Sequence, residues 1–303
     1  MHFVPVTPPA LVESARGFDY VTADSAARRI YAAHTGSNAL LVVNADNGKV
    51  VGQVEVGTMH GVAVDPQTGH VYTGNGLARS VSEVDPVSLN VLRTANVDGQ
   101  VDAIAYDPVL HRVYADEDDG THVYVVDTKT MKQIAAVPIP GHKPEYLAVD
   151  PQTHDVYQNI DNLGEVAVIG ASALKVTRTF PTPAIQKNHP LQYDSQNHIL
   201  LIGGKNGVLA SYTTQGKLLG TVSIQPSVDQ CSYNPTTRQI ACAGSGKVTV
   251  VSVSTKGELK LVGSMNVAED VHTVAFDPKT GNIWIVWADD KGAEYVQGFT
   301  PKP

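Results

Sequence analysis

One pattern recurs seven times along this chain and limits what it can fold into. Val62-Ala63-Val64-Asp65-Pro66-Gln67-Thr68-Gly69-His70-Val71-Tyr72 returns as Leu147-Ala148-Val149-Asp150-Pro151-Gln152-Thr153-His154-Asp155-Val156-Tyr157, and again as Val274 to Trp284. Weaker copies centre on Asp24, Asp107, Asp194 and Asn234. The anchors Asp24, Asp65, Asp107, Asp150, Asp194, Asn234 and Asp277 are spaced 41, 42, 43, 44, 40 and 43 residues apart. A period of this size is the mark of a solenoid or a propeller. Each copy reads as four short β-rich runs separated by turn residues, which is one propeller blade. The expected fold is therefore all-β: a seven-bladed β-propeller with four antiparallel strands per blade, a single domain over residues 1–303. The last copy holds only three clear runs. The N-terminal Phe3-Val4-Pro5-Val6-Thr7 is expected to supply the fourth and close the ring, because an open ring leaves unpaired strand edges. The anchor is read as structural, with Asp opening the turn and Pro fixing the next φ.

The Tyr72-Thr73-Gly74-Asn75 segment and the Val64-Asp65-Pro66-x-Thr68-Gly69-x-Val71-Tyr72 piece resemble the YVTN-repeat β-propellers of bacteria and archaea. The resemblance spans nearly the whole chain and implies the fold. It carries no catalytic residue. It also implies export, so a periplasmic or secreted location is expected, with a cytoplasmic one as the alternative. The N-terminus has no basic segment followed by an apolar one, so no signal peptide is read here.

Composition excludes several classes. Hydrophobic residues make up 42 % and charged residues 17 % of the 303, which argues against disorder. A net charge of −8 disfavours general nucleic-acid binding, and no apolar run is long enough to span a membrane. No Gly-Lys-Ser/Thr loop or Gly-x-Ser-x-Gly elbow occurs, which argues against a nucleotide-dependent enzyme or a serine hydrolase. Cys231 and Cys242 fall on the two sides of an expected hairpin. Two buried free thiols are the expectation, with a cross-strand disulfide as the alternative if Asn234 pairs with Gln239.

One column does not look structural. Five residues before each anchor stand Asp19, His60, Asp102, Glu145, His189, Asp229 and His272. With 30 Asp+Glu and 11 His in the whole chain, a column filled only by these types is not what chance gives. The column falls at the starts of the innermost strands, at one mouth of the central channel. His60, His189 and His272 are spaced almost threefold around the ring, as in a three-ligand open metal site. Four carboxylates packed together would repel without a cation. The expectation is a divalent transition metal (Zn, Mn, Fe, Cu, Ni or Co) held by these three histidines. Glu145, Asp102, Asp19 and Asp229 would act as general bases or as partners to the ligands. The function expected is metal-dependent hydrolysis of an ester, lactone or phosphoester, on a small-molecule substrate at the channel mouth, by a monomer. Two alternatives stand: an Fe or Cu oxidoreductase on the same site, and a non-enzymatic exported binding or scaffold propeller.

His34 and Glu117 are read as ordinary loop polarity, with a rim around that mouth as the alternative, and Phe18, Tyr20, Met59 and Tyr146 as simple packing or apolar walls. Asp116-Glu117-Asp118-Asp119 is read as a solvated turn, and His70, His111, His154 and His198 as surface turn residues on the opposite face.

Overall fold

The computed structural model describes residues 2–12, 17–289 and 291–302. Its strands form seven antiparallel sheets arranged as the blades of a ring. Blade 1 contains Val21–Asp24, Arg29–His34, Ala39–Asn44 and Val50–Glu55, from the channel outward. Blades 2 to 6 repeat this order over residues 59–96, 101–138, 144–181, 188–223 and 230–266. Blade 7 has Val274–Phe276, Ile283–Ala288 and Glu294–Lys302, and its outer strand comes from the N-terminus in two pieces. His2–Pro5 pairs with Phe299–Lys302, and Ala10–Val12 with Glu294–Val296, all antiparallel. The ring is thus closed as the repeat requires.

The two middle strands of each blade are apolar on both faces because both faces are covered, by the blade before and the blade after. Side chains alternate along a strand. On Arg112–Glu117, Val113 and Ala115 therefore join the cluster shared with blade 2, while Tyr114 joins the cluster shared with blade 4. The outermost strands face water on one side, and Lys175–Pro181 is accordingly mostly exposed.

The anchor carboxylates do more than open turns. One oxygen of Asp107 accepts the backbone N–H of Val109 and Leu110, at 2.9 and 3.0 Å. The other lies 2.9 Å from Nδ1 of His154 in blade 4. Asp65 is held in the same way by Tyr106, Asp150 by Tyr193, Asp194 by Arg238 and Asp277 by Arg28, each partner coming from the next blade around the ring. The fifth residue of every anchor turn is left-handed: Arg28, Gly69, His111, His154, His198, Arg238 and Gly281. Gly at two of these positions avoids the Cβ penalty that the other five carry.

Cys231 and Cys242 are directly opposite in register, with Cα atoms 4.1 Å apart, and form a disulfide. This corrects the expectation of free thiols. The Asn234–Gln239 pairing holds and fixes the register that brings the sulfurs together.

Candidate functional site

Inner-strand side chains ordinarily point into the gaps between blades, so a ring of polar side chains at the axis needs a local cause. The ladder supplies it. The inner strands of blades 2, 3, 4 and 5 each shift register between Met59 and Val62, Val101 and Ile104, Pro144 and Leu147, and Asn188 and Leu191. His60, Asp102, Glu145 and His189 all lie within these irregularities. A bulge frees residues from the ladder and re-aims their side chains. In blades 1 and 6, Asp19 and Asp229 precede their inner strands, each held by one backbone bond, to Ala33 and Ala243. Beside this ring Tyr20 of blade 1 meets Tyr146 of blade 4 edge to face, ring centroids 5.3 Å apart.

The column does not gather into one centre. Among the described residues, two groups place three ligand atoms within 4.8 Å of one another: Asp19, His60 and Asp102, and Glu145, Asp161 and His189. Each has one histidine, so the three histidines expected to share a metal are apart. His272 is engaged elsewhere. Its Nδ1 lies 2.7 Å from the carbonyl of Asp270 and its Nε2 3.1 Å from that of Phe18. Both neighbours are acceptors, so both contacts are hydrogen bonds only when both nitrogens carry protons, and an imidazolium has no lone pair for a metal. Against burial, the charge of Asp229 and the bond to Asp270 raise its pKa.

The two groups differ in charge. His189 is sandwiched, with Nδ1 2.8 Å from Glu145 and Nε2 2.7 Å from Asp229. The first contact is close but poorly aligned for a hydrogen bond, since Nδ1 has no well-directed partner. Lys143 reaches Glu145 at 3.5 Å and Lys205 reaches Asp229 at 2.5 Å. Against burial, Asp229 and Glu145 lift His189 to about 9. Asp229 is held well below its ordinary range, burial being outweighed by His189 and by the charges of Lys205 and His272. This half of the mouth supplies its own cations.

Among the described residues the other half has no lysine in it, only His60. His60 Nδ1 lies 2.6 Å from Asp19 and 3.9 Å from Asp102. Among the described residues no Lys or Arg pairs with either carboxylate. Burial, then the charges of Asp19 and Glu145, pushes Asp102 well above the usual carboxylate range. His60 rises too, the bond to Asp19 and the charges of Asp19 and Asp102 overcoming burial. A Cβ on Gly76 would stand 2.9 Å from His60 Nε2. The bare glycine backbone therefore backs the ring and leaves Nδ1 turned to the carboxylates. One histidine and two carboxylates facing one point suit a divalent ion of the Zn or Mn type. Beside this group a cleft of about 350 Å³ is lined by Asp98, Glu117, Asp118 and Asp119, with Arg79.

Other expected rim and wall residues have structural roles. His34 is fully buried and paired with Glu294 of blade 7 at 2.5 Å, with Phe18 stacked on its ring. Glu117 accepts from Tyr124 and from the Thr121 N–H. Met59 is in the core between blades 1 and 2. The acidic run is not a solvated turn throughout: Asp118 and Asp119 are exposed, but Asp116 is fully buried against Gln158. Asp161, Lys143 and Lys205 were not legible as site residues. They sit on loops outside the repeat column, beside members of it.

No model of a known protein family matches the chain, and no curated protein matches it. Solved structures do, at the level of fold. A chain of Kuenenia stuttgartiensis hydrazine synthase superposes with a TM-score of 0.78 at 14 % identity, covering 90 % of this chain and 94 % of that one. A chain in the crystal structure of the mitotic checkpoint complex gives 0.80 at 16 %, covering 98 % and 93 %. A fold shared between two such different assemblies leaves function to be argued from the site. What the comparisons establish is a seven-bladed β-propeller.

Proposed function

We propose that the chain is a metal-dependent hydrolase whose divalent transition metal is held by Asp19, His60 and Asp102 at the channel mouth. The carrying observation is the convergence of these three ligand atoms on a spot where, among the described residues, neither carboxylate pairs with a Lys or Arg. The group around His189 has Lys143 and Lys205 on its carboxylates instead. When bound, the metal would lower the pKa of a water and polarise an ester, lactone or phosphoester oxygen. Asp19, the ionised carboxylate of Asp102 and a neutral Nδ1 of His60 would hold the ion, the protons of Asp102 and His60 passing to solvent as it bound. Asp118, which lines the adjoining cleft in electrostatic reach of His60 and Asp19, is the group we assign as the base that would take a proton from water. The buried disulfide supports a periplasmic or secreted location, since such bonds persist in oxidising compartments.

Metal analysis of the purified protein, followed by calorimetric titration of chelator-stripped protein with Zn²⁺ and Mn²⁺, tests the site. One equivalent is expected, lost in His60→Ala and Asp102→Asn and kept in His189→Ala. No stoichiometric ion, or equal loss in all three variants, would overturn the assignment. Turnover of aryl esters, lactones and phosphotriesters by the loaded protein then tests the chemistry, and turnover that requires O₂ would replace hydrolysis with oxidation.

A further inference from the structure

The His/Asp/Glu column stands at the starts of the inner strands and the anchors at their ends. The anchor turns therefore surround the opposite mouth of the channel. In blades 3, 4 and 5 the inner strands are Val101–Asp107, Pro144–Val149 and Asn188–Asp194. Where these three end, their turns hold a cavity of about 240 Å³. Asp107, His154 and Ser195 line it on the polar side. Tyr106, Tyr193, Val149 and Pro151 are among its walls.

His154 has one ring nitrogen fixed and one to spare. Asp107 is 1 % exposed, and the oxygen not used on its own turn lies 2.9 Å from Nδ1 of His154. A carboxylate oxygen only accepts, so in the neutral ring Nδ1 carries the proton and Nε2 the lone pair. Among the described residues nothing bonds to Nε2, and the side chain is 22 % exposed, so this nitrogen is not sealed in the core. The aromatic walls do not compete for it. The Tyr106 hydroxyl donates to Asp65 at 3.3 Å and the Tyr193 hydroxyl to Asp150 at 2.9 Å. Each phenol has one proton to give, and it is given there. The rings are held in place as well, Tyr106 against Tyr72 and Tyr193 against Tyr157, with centroids 4.8 and 5.3 Å apart.

Flat, fixed apolar walls with one acceptor nitrogen make a small-molecule site, with little ordering left to be done on binding. Drug-sized ligands occupy roughly 300 Å³ or more, so this cavity admits a single ring. An aromatic ring matches walls of tyrosine and proline. An anion is disfavoured, because the Asp107 carboxylate backs the imidazole. We propose that this cavity binds a small neutral aromatic molecule of the phenol class, whose hydroxyl donates to Nε2 of His154. The site lies at the other mouth from the Asp19–His60–Asp102 group and does not depend on the metal reading.

Fluorine NMR of p-fluorophenol with chelator-treated protein tests this without any metal contribution. Saturable broadening is expected, with a Kd on the order of 1 mM for so small a ligand. Fluorobenzene, which lacks the hydroxyl, and p-fluorobenzoate, an anion, should each bind at least about tenfold more weakly. Equal binding of fluorobenzene would overturn the role of His154. Tighter binding of p-fluorobenzoate would overturn the neutral ligand, and no saturable broadening by p-fluorophenol would overturn the site. These comparisons use wild type and need no variant to fold. His154→Asn keeps an N–H for Asp107 and suits the left-handed backbone, φ 64°; p-fluorophenol should bind it about tenfold more weakly. Ser195→Leu, which fills the cavity, should abolish binding. His111→Asn changes the same turn position in blade 3, outside the lining, and should bind as wild type does. Equal losses in His154→Asn and His111→Asn would place the ligand elsewhere and overturn the proposal.

Discussion

His189 lies between Glu145 and Asp229 with its side chain 14 % exposed, and its pKa rises from 6.5 to about 9. The sign follows from linkage. The folded state holds this proton more tightly than the unfolded chain, so the stabilisation is complete below pH 6.5 and drains away as pH rises to 9. The depressed Asp229 reports this contact together with the charges of Lys205 and His272, and its contribution changes only at acid pH, below this window. The expected loss is roughly 2–3 kcal/mol. Denaturant titrations from pH 6 to 9.5 should show this slope in wild type and a flatter one in His189→Gln; parallel slopes would show that the ion pair contributes nothing. His60 depends on a different neighbour. Gly76→Ala would press a methyl onto its Nε2, and metal affinity is expected to fall about tenfold, the scale on which displaced ligand supports act. Calorimetry checks this, with an unchanged circular dichroism spectrum as the control. At this scale the sequence already showed which residues belong to the mouth, because a repeat aligns them in one column. It did not show that they split into two groups. Lys143 and Lys205, which neutralise one side, lie outside that column, and the direction of each side chain is set by a bulge, a property of strand register that residue types do not reveal.

Within one blade, the anchor turn joins local and long-range order. Its Asp satisfies backbone N–H groups of its own turn with one oxygen and grips the next blade with the other. Asp107 does both and is 1 % exposed. Asp24 accepts from Ala26 and Ala27 alone among the described residues. Asp107→Ala should therefore cost about 2–3 kcal/mol and Asp24→Ala about 1 kcal/mol, the worth of a turn cap by itself. Chemical denaturation of both variants decides; equal losses would mean that the inter-blade contact carries no energy. The four-strand blade was legible because turn residues punctuate apolar runs at fixed offsets. The second duty of the anchor was not, since its partners are Tyr, His and Arg by turns, brought near only by ring geometry. The disulfide was half legible: pairing across the hairpin followed from the strand pattern, whereas whether two opposed thiols join does not.

Around the whole ring, stability depends on seven equivalent interfaces, and one of them is assembled from chain ends 290 residues apart. Gln297 Nε2 donates to the Thr7 carbonyl and the Gly298 N–H to Thr7 Oγ1. Val12 enters the core shared by blades 7 and 1 beside Trp284 and Ile30. Removing residues 1–12 would leave Glu294–Lys302 as an unpaired edge, the N–H and C=O groups of its alternate residues facing water. It would also uncover apolar surface on Val296 and Trp284. The inner strands of blades 7 and 1 would still pack, so the truncated chain is expected to fold. It should, however, unfold at lower denaturant with a smaller slope, because the native state exposes more surface before unfolding begins. It should also associate through the bare edge. Size-exclusion chromatography across a concentration series, with denaturant titration of the same samples, makes the comparison. A truncated chain that keeps the wild-type elution volume, midpoint and slope would show that the N-terminal strands decorate a ring already closed by its core. Loss of both together would place the closure in those first residues. The metal-site test then gains a control: Asp19 lies just after this seam and His60 and Asp102 one and two blades on, so a ring opened at blade 7 should loosen Asp19 while leaving the His60–Asp102 pair in place.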